Sequence, residues 1–169
     1  TGQIAKESGP DYLRGHKAGV LSLCYSLNGE MLASSSEDHT IRLWDDRGRE
    51  ISVLRGHKDK VERVVFSREG HMLASCGVDG MACLWSIYES KPIRVLEHKA
   101  EVTDISFTGD GRFVVTTSVD HGVRLWDVSN GEVEYLRGHT APVRAVVCSA
   151  LTNCIVTASD DCTVRVWQD

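Results

Sequence analysis

Hydrophobic and polar residues alternate along this chain in short runs, and each run ends at a polar or glycine-containing turn. Between residues 51 and 86 there are four such runs, at 51–54, 61–67, 72–76 and 81–86. Turns recur about every ten residues, which is the spacing of an antiparallel meander. No hydrophobic pattern of helical period is sustained over about 11 residues or more. The pattern therefore predicts an all-β protein with almost no helix.

Glycine marks the tight turn between the second and third of these runs in three of four places. Asn28-Gly29, Glu69-Gly70 and Asp110-Gly111 each supply a residue that adopts positive φ without strain. At the fourth place the sequence is Leu151-Thr152-Asn153. Asparagine also enters the left-handed region, so we expect a looser turn of the same type there.

Four columns of residues recur at a fixed interval of 41 positions. They are His16, His57, His98 and His139; Asp38, Asp79, Asp120 and Asp161; Trp44, Trp85, Trp126 and Trp167; and the hydroxyl column Ser34, Ser75, Thr116 and Thr157. A period between 20 and 50 residues indicates a repeat architecture. We divide the chain into repeats 6–46, 47–87, 88–128 and 129–169 of a single domain, 1–169, with no linker and no room for a second domain.

The repeat resembles the WD40 family over essentially the whole chain. Gly15-His16 with Trp44-Asp45, and Gly138-His139 with Trp167-Gln168, are close to the dipeptides that frame a WD40 repeat. The resemblance implies a β-propeller with one four-stranded antiparallel blade for each repeat, and hence four blades. We expect these four blades to be a segment of a larger or oligomeric propeller.

In that family the four columns form a buried hydrogen-bond chain in each blade. Here the resemblance implies the tetrads Asp38–His16–Ser34–Trp44, Asp79–His57–Ser75–Trp85, Asp120–His98–Thr116–Trp126 and Asp161–His139–Thr157–Trp167. The residue types suit one another, because indole only donates, a hydroxyl both accepts and donates, and a carboxylate only accepts. Glu97 stands where the other repeats have glycine before the histidine, so we expect a stiffer or displaced loop there.

A serine, a histidine and an aspartate together also invite the hypothesis of a hydrolase. A catalytic set occurs once and lies in a cleft, whereas this set recurs four times. We therefore interpret the tetrads as structural and expect no enzyme activity, no catalytic residue and no cofactor. The additional His39, His71 and His121 stand beside Asp or Gly in turns, where we expect solvated side chains and no metal site.

Composition and charge limit the classes of binding partner and the cellular compartment that we expect. The net charge of −5 disfavours direct binding to nucleic acid or to an anionic membrane. Six cysteines share no column and form no Cys-x-x-Cys pair, so neither a zinc site nor a disulfide framework is indicated. We expect a reducing compartment, the cytoplasm or the nucleus. Because the chain starts at Thr1 without an initiator methionine, we expect a processed chain or an excised piece.

The resemblance also implies a binding surface on the narrow face around the central channel. The corresponding positions are Gly19, Leu21, Glu37, Lys60, Glu62, Val78, Glu101, Thr103, Val119, Pro142, Arg144 and Asp160. Apolar side chains are mixed there with charges of both signs. We expect Lys60 and Arg144 to be the anchors for an acidic or carboxylate group of a partner.

Four repeats leave three ways to complete a propeller. The four blades could close alone, two chains could pair head to tail as an eight-bladed homodimer, or the chain could need the missing remainder of a longer propeller. We expect the chain to begin with an outermost strand, Asp11 to Leu13, and to finish with the third strand of a blade, Val164 to Trp167. We favour the third way, in which the chain needs the missing remainder of a longer propeller, and the eight-bladed homodimer is our second choice.

The sequence therefore predicts a non-enzymatic scaffold for protein or peptide partners within a multi-protein complex. One alternative is a structural propeller segment whose role is self-assembly into a closed ring. A remote alternative is a hydrolase that uses one of the Ser-His-Asp sets.

Overall fold

The computed structural model of this chain describes residues 12–152 and 154–168. It contains fifteen β-strands. They are β1 Val20–Tyr25, β2 Met31–Ser36, β3 Thr40–Asp45, β4 Glu50–Arg55, β5 Val61–Phe66, β6 Met72–Gly77, β7 Met81–Ser86, β8 Pro92–Glu97, β9 Val102–Phe107, β10 Phe113–Ser118, β11 Val123–Asp127, β12 Val133–Leu136, β13 Val143–Cys148, β14 Ile155–Ser159 and β15 Val164–Trp167.

These strands form four antiparallel sheets, which we call blades 1 to 4. Blade 1 is β1-β2-β3-β4, blade 2 is β5-β6-β7-β8, blade 3 is β9-β10-β11-β12 and blade 4 is β13-β14-β15. No helix occurs in the described part of the chain, so none there could cross a membrane. The predicted all-β class is confirmed, and the four runs predicted between residues 51 and 86 correspond to β4, β5, β6 and β7.

The tight turn between the first two strands of a blade has the predicted backbone. Gly29, Gly70 and Gly111 have φ of 74°, 75° and 71°. In each turn the glycine N–H donates to a residue three positions back, as Gly70 does to the Ser67 carbonyl at 2.9 Å. The expectation of a looser turn at 151–153 falls on Asn153, which lies outside the described residues.

Each blade takes its fourth strand from the next repeat of the sequence. The strand β4 lies within the second repeat, yet it pairs with β3, for example through Ile41 and Leu54. Blade 4 consequently ends at β15 and has three strands.

The predicted opening strand from Asp11 to Leu13 is not present at Tyr12 and Leu13, and Asp11 lies outside the described residues. A strand at that position would pair with the third strand of a preceding blade, and the described residues contain no such blade.

The hydrophobic core lies between neighbouring blades. Between blades 1 and 2 the buried Ile41 and Leu43 lie in one cluster with Val64, Leu73 and Trp85. Equivalent clusters join blade 2 to blade 3 and blade 3 to blade 4. The outer faces of blades 1 and 4 do not cover one another, because Leu23 remains 64% exposed and Val164 remains 67% exposed. Four blades therefore form an open arc and do not close alone.

Candidate functional site

The first tetrad is a continuous chain of hydrogen bonds between a loop and two strands. The Trp44 indole Nε1–H donates to Ser34 Oγ at 2.8 Å, and Ser34 Oγ lies 2.7 Å from His16 Nε2. The Nδ1 of His16 lies 2.9 Å from an Asp38 carboxylate oxygen. The chain joins the loop before β1 to β2, to β3 and to the turn between them.

Blades 2 and 4 repeat this geometry within a few tenths of an ångström. The indole-to-hydroxyl distance is 2.8 Å in blade 2 and 3.0 Å in blade 4. The hydroxyl-to-imidazole distance is 2.8 Å in both, and the imidazole-to-carboxylate distance is 2.8 Å and 2.7 Å. The residues are Trp85, Ser75, His57 and Asp79 in blade 2, and Trp167, Thr157, His139 and Asp161 in blade 4.

The two ends of the chain fix the direction of every bond. Indole can only donate and an ionised carboxylate can only accept. The imidazole must therefore donate from Nδ1–H to Asp38, and a ring with this single N–H is an acceptor at Nε2. The hydroxyl of Ser34 consequently donates to His16 Nε2 while it accepts from Trp44. Each histidine of this type therefore carries a hydrogen on Nδ1, which it donates to the aspartate.

The aspartate also accepts hydrogen bonds from the loop that enters the blade and from its own turn. Asp38 accepts from the backbone N–H of Lys17 at 2.9 Å and of Thr40 at 3.0 Å, and from the Thr40 hydroxyl. In blade 4 the hydroxyl of Thr163 donates to Asp161 at 2.6 Å, and the backbone of Thr140 donates at 3.1 Å. The Thr163 hydroxyl is the main group that holds the pKa of Asp161 well below its usual range, and His139 adds to it. The carboxylate therefore stays ionised at neutral pH.

Blade 3 departs from the expected tetrad at its aspartate. Trp126 donates to Thr116 at 2.9 Å, and Thr116 lies 2.8 Å from His98 Nε2. The Nδ1 of His98 instead lies 3.1 Å from the backbone carbonyl of Leu96. Asp120 forms an ion pair with Arg124, whose two terminal nitrogens lie 2.5 Å and 3.2 Å from the carboxylate oxygens. The expected His98–Asp120 bond is therefore replaced.

Two features of blade 3 account for this exchange. Gly122 stands where blades 1 and 4 have a threonine, and a Cβ there would lie 2.7 Å from Arg124 Nη1. The missing side chain leaves room for the guanidinium to reach Asp120. Glu97 continues β8 and pairs with Met81, so the chain approaches His98 as a strand. This agrees with the displacement expected from the missing glycine, and it places the Leu96 carbonyl beside the imidazole.

The tetrad hydroxyls are unsuited to attack a substrate. Ser75 and Thr116 are completely buried, and each hydroxyl is engaged by an indole and an imidazole. The additional His39, His71 and His121 are exposed in turns, and no three His, Cys, Asp or Glu side chains within 12–152 and 154–168 converge on a metal site. The sets are built to hold a blade together.

The positions predicted to form a binding surface lie along one edge of the arc. They occupy the start of the first strand and the end of the second strand of each blade, which are adjacent in an antiparallel pair. Four backbone hydrogen bonds of 2.9–3.1 Å join the two positions: Glu37 to Gly19, Val78 to Lys60, Val119 to Glu101, and Asp160 to Pro142. We call this edge, with Leu21, Glu62, Thr103 and Arg144, the upper face.

Both cations of the upper face are already paired. Lys60 Nζ lies 2.5 Å from a Glu37 carboxylate oxygen, which links blade 2 to blade 1. Arg144 donates to Asp160 from Nε at 2.9 Å and from Nη2 at 2.5 Å. The two residues expected to be anchors for an acidic partner therefore each have a carboxylate partner within the upper face. The partner carboxylates, Glu37 and Asp160, lie at the residue before the turn aspartate in their repeats.

Two carboxylates of the upper face have no ion-pair partner among the described residues. Glu62 and Glu101 lie on neighbouring blades. Burial first, and the charge of Glu101 second, raise the pKa of Glu62. A donor group brought by a partner would relieve this repulsion.

Sequence reasoning missed a second hydroxyl column that supports the upper face. Ser118 Oγ donates to the Glu101 carbonyl at 2.7 Å, and Ser159 Oγ donates to the Pro142 carbonyl at 3.0 Å. Ser36 reaches the Ala18 carbonyl at 3.3 Å. These serines recur at the same 41-residue interval, with Gly77 in the second repeat, so the period itself could have identified them.

A buried carboxylate that follows no column joins blade 3 to its neighbours. Asp104 accepts from the Val146 backbone N–H of blade 4 at 3.0 Å and pairs with Arg63 of blade 2 at 3.0 Å. The equivalent positions carry Ser22, Arg63 and Ala145. Because the residue type changes from repeat to repeat, no sequence signal pointed to this contact.

Comparison with known proteins agrees with this geometry. A family model described as WD domain, G-beta repeat matches residues 10–45, 48–86, 90–127 and 131–168. No curated protein matches the chain at a significant level.

The tetrad of blade 2 predicts a specific loss of stability for Ser75→Ala. The change leaves the Trp85 N–H and the His57 Nε2 buried without a partner, and each such group costs about 1–3 kcal/mol. We expect the free energy of unfolding in urea to fall by about 2–4 kcal/mol. Ser75→Thr keeps the hydroxyl, as in blades 3 and 4, and should recover most of the loss. The exposed Ser90→Ala should change stability by less than about 0.5 kcal/mol. An equal effect of the two alanine substitutions would contradict the tetrad.

Blade 3 predicts a pH dependence that belongs to His98. Burial first, and the nearby Arg124 second, lower the pKa of His98 to about 4 from 6.5. The unfolded chain therefore binds more protons between these values, so the stabilisation is complete above pH 6.5 and is lost as the pH falls towards 4. Between pH 7 and pH 5 this loss amounts to about 2 kcal/mol.

The measurement is urea unfolding at pH 7 and pH 5 for the unsubstituted chain and for His98→Gln. The difference between the two pH values should shrink by about 2 kcal/mol in the variant, because it lacks the titrating group. Ser90→Ala, at an exposed position, removes no titratable group and should leave the difference unchanged. If the His98 variant kept the full pH dependence, the assignment to this imidazole would be wrong.

Proposed function

Since this chain belongs to the WD40 repeat family, we propose that it is a non-enzymatic scaffold that binds protein or peptide partners through its upper face. WD40 repeats are typical of protein-interaction scaffolds, and function in such repeats lies on the loop-bearing surfaces. The proposed partners are proteins or peptides within a multi-protein complex. Neither nucleic acid nor a membrane is a proposed partner, because the chain carries a net charge of −5.

The observation that carries this proposal is the rigid placement of the upper face. In every blade a backbone hydrogen bond joins the start of the first strand to the end of the second. Serine hydroxyls donate to the same carbonyls in blades 3 and 4, and to the adjacent Ala18 carbonyl in blade 1. A backbone that is already ordered in this way loses little further conformational entropy when a partner binds, which favours affinity.

The chemistry of the upper face favours a partner that brings apolar side chains and hydrogen-bond donors. Leu21 is 40% exposed, and Val78, Val119 and Pro142 are partly exposed on the other three blades. Lys60 and Arg144 are satisfied within the face, so an acidic partner would first have to break these pairs. The carboxylate of Glu101 is available to a donor.

Two further parts of the proposal rest on burial and on the cysteines. The tetrad hydroxyls are sealed within the blades, which supports a structural role for the Ser-His-Asp sets over the remote hydrolase alternative. All six cysteine thiols are free, which is in keeping with a reducing compartment. The compartment that we propose is the cytoplasm or the nucleus.

The test is the selection of binding peptides from a random displayed library, followed by affinity measurement on matched variants. Leu21→Asp and Glu101→Lys alter the upper face. Leu27→Asp and Glu69→Lys make the same chemical changes at exposed turns on the opposite edge of blades 1 and 2. We expect the upper-face changes to weaken binding at least tenfold, or about 1.4 kcal/mol, and the controls to alter it less than twofold. Peptides sensitive only to the opposite edge would contradict the proposal.

A further inference from the structure

The upper edges of blades 2 and 3 lie in a complete structural neighbourhood. Both blades have all four strands, and each is covered on both sides by a neighbouring blade through the three core clusters. This distinguishes them from blades 1 and 4, where Leu23 and Val164 lack a covering blade. The charged side chains exposed at the upper edges of blades 2 and 3 are therefore true surface residues of the propeller.

An unpaired lysine lies beside the upper face on each of blades 1, 2 and 3. Lys17, Lys58 and Lys99 each follow the tetrad histidine directly, and all three are exposed. We call them the outer lysines. None of them forms an ion pair within residues 12–152 and 154–168. Their charges are therefore available to a partner, in contrast to the two cations of the upper face itself.

The tetrad aspartate fixes the distance of the outer lysines from the channel. The backbone N–H of Lys58 donates to Asp79 at 2.8 Å, and that of Lys17 donates to Asp38 at 2.9 Å. Each aspartate stands in the turn between the second and third strands of its blade, whereas Glu62 lies on the first strand, nearest the channel. Neighbouring strands are about 4.8 Å apart, so the backbone of Lys58 lies about 7 Å farther out than that of Glu62.

Towards the channel the same two blades present carboxylates that lack a cation. Glu62 lies on β5, Glu101 immediately precedes β9, and both are half-buried. Burial is the main reason that the pKa of Glu62 is raised, and the charge of Glu101 adds to it. Lys60 offsets this only in part, because its Nζ lies 2.5 Å from Glu37. A cation placed between Glu62 and Glu101 would relieve their repulsion.

Partly exposed valines lie between the outer lysines and the carboxylates. Val78 and Val119 directly follow the second strands, and each donates its backbone N–H to the start of the first strand at 3.1 Å. The surface is therefore positive outside, apolar in the middle and negative inside. A partner of one sign, such as nucleic acid, would be attracted by the lysines and repelled by Glu62 and Glu101. The surface fits a partner that carries both signs.

On the basis of the proposed binding of peptides to the upper face, we propose a specific charge pattern for the partner. It is an extended peptide segment that places a lysine or arginine side chain between Glu62 and Glu101 and an aspartate or glutamate side chain against Lys58 or Lys99. An extended peptide advances about 3.3 Å per residue, and alternate side chains share one face. The offset of about 7 Å therefore fits an acidic residue two positions from the basic one.

The first experiment reads the charges of peptides selected from a random displayed library on the unsubstituted chain. We expect a basic residue with an acidic residue two positions away to be enriched over the same pair at other spacings. Selection on Glu62→Lys with Glu101→Lys should lose this pattern, and so should selection on the milder Glu62→Gln with Glu101→Gln. Glu69→Lys, at an exposed turn on the opposite edge, should keep it. Circular dichroism should show the same strand content in every variant.

Exchange of charge between the chain and a selected peptide tests the pairing itself. Glu101→Lys should weaken the binding of the peptide about tenfold, and a peptide with glutamate at its basic position should recover most of that loss. Lys58→Glu with Lys99→Glu should behave in the same way towards a peptide with lysine at its acidic position. Lys91→Glu, exposed on the opposite edge of blade 2, should change the affinity less than twofold and show no recovery.

The possible failures separate this proposal from the function on which it rests. Peptides that lose affinity in Leu21→Asp, yet show neither the charge pattern nor recovery on exchange, would overturn the charge pattern and leave the peptide-binding function standing. Peptides that are insensitive to every upper-face substitution would overturn both. If a single-stranded oligonucleotide bound the chain and lost affinity in Lys58→Glu with Lys99→Glu, while no peptide did, the outer lysines would serve a nucleic acid and the proposal would be wrong.

Discussion

The fold depends on one buried hydroxyl in each blade. Ser34, Ser75, Thr116 and Thr157 each accept a hydrogen bond from a tryptophan and lie within 2.8 Å of an imidazole Nε2. A buried indole N–H without an acceptor would be costly, and so would a buried imidazole without its partner. The hydroxyl satisfies both at once. It thereby ties the loop that enters the blade to the strands at its centre, and the large tryptophan can fill the space between blades.

Blade 3 shows which part of this chain of bonds can vary. The tryptophan, hydroxyl and imidazole keep their contacts, whereas the imidazole turns its other nitrogen to the Leu96 carbonyl and Asp120 pairs with Arg124. Every buried group still has a partner after the exchange. The constraint is therefore on satisfaction of the polar atoms and less on the identity of the last acceptor. The same reasoning explains why four chemically similar sets can serve one structural purpose, while the surfaces they support differ in each blade.

Much of the architecture could be predicted from the sequence because it follows from repetition. The 41-residue interval identified the strands, the glycine turns at Gly29, Gly70 and Gly111, and the residues of the tetrads. Prediction failed where one side chain changes what its neighbours can reach. The absence of a side chain at Gly122 lets Arg124 pair with Asp120, so the expected bond between Asp120 and His98 does not form. The contacts of Asp104 could not be predicted either, because the residue type at its position changes from repeat to repeat.

The direction of hydrogen bonding through the tetrads is the centre of this account, and nitrogen NMR of the histidine side chains measures it directly. The correlation of each ring nitrogen with the ring protons reports which nitrogen carries hydrogen. We expect the hydrogen of His16, His57, His98 and His139 on Nδ1, because a carboxylate or a backbone carbonyl accepts from that nitrogen and a hydroxyl faces Nε2 in every blade. Hydrogen on Nε2 in these four rings would mean that the hydroxyls do not donate to them. The tetrads would then not be the continuous chains that hold the blades together.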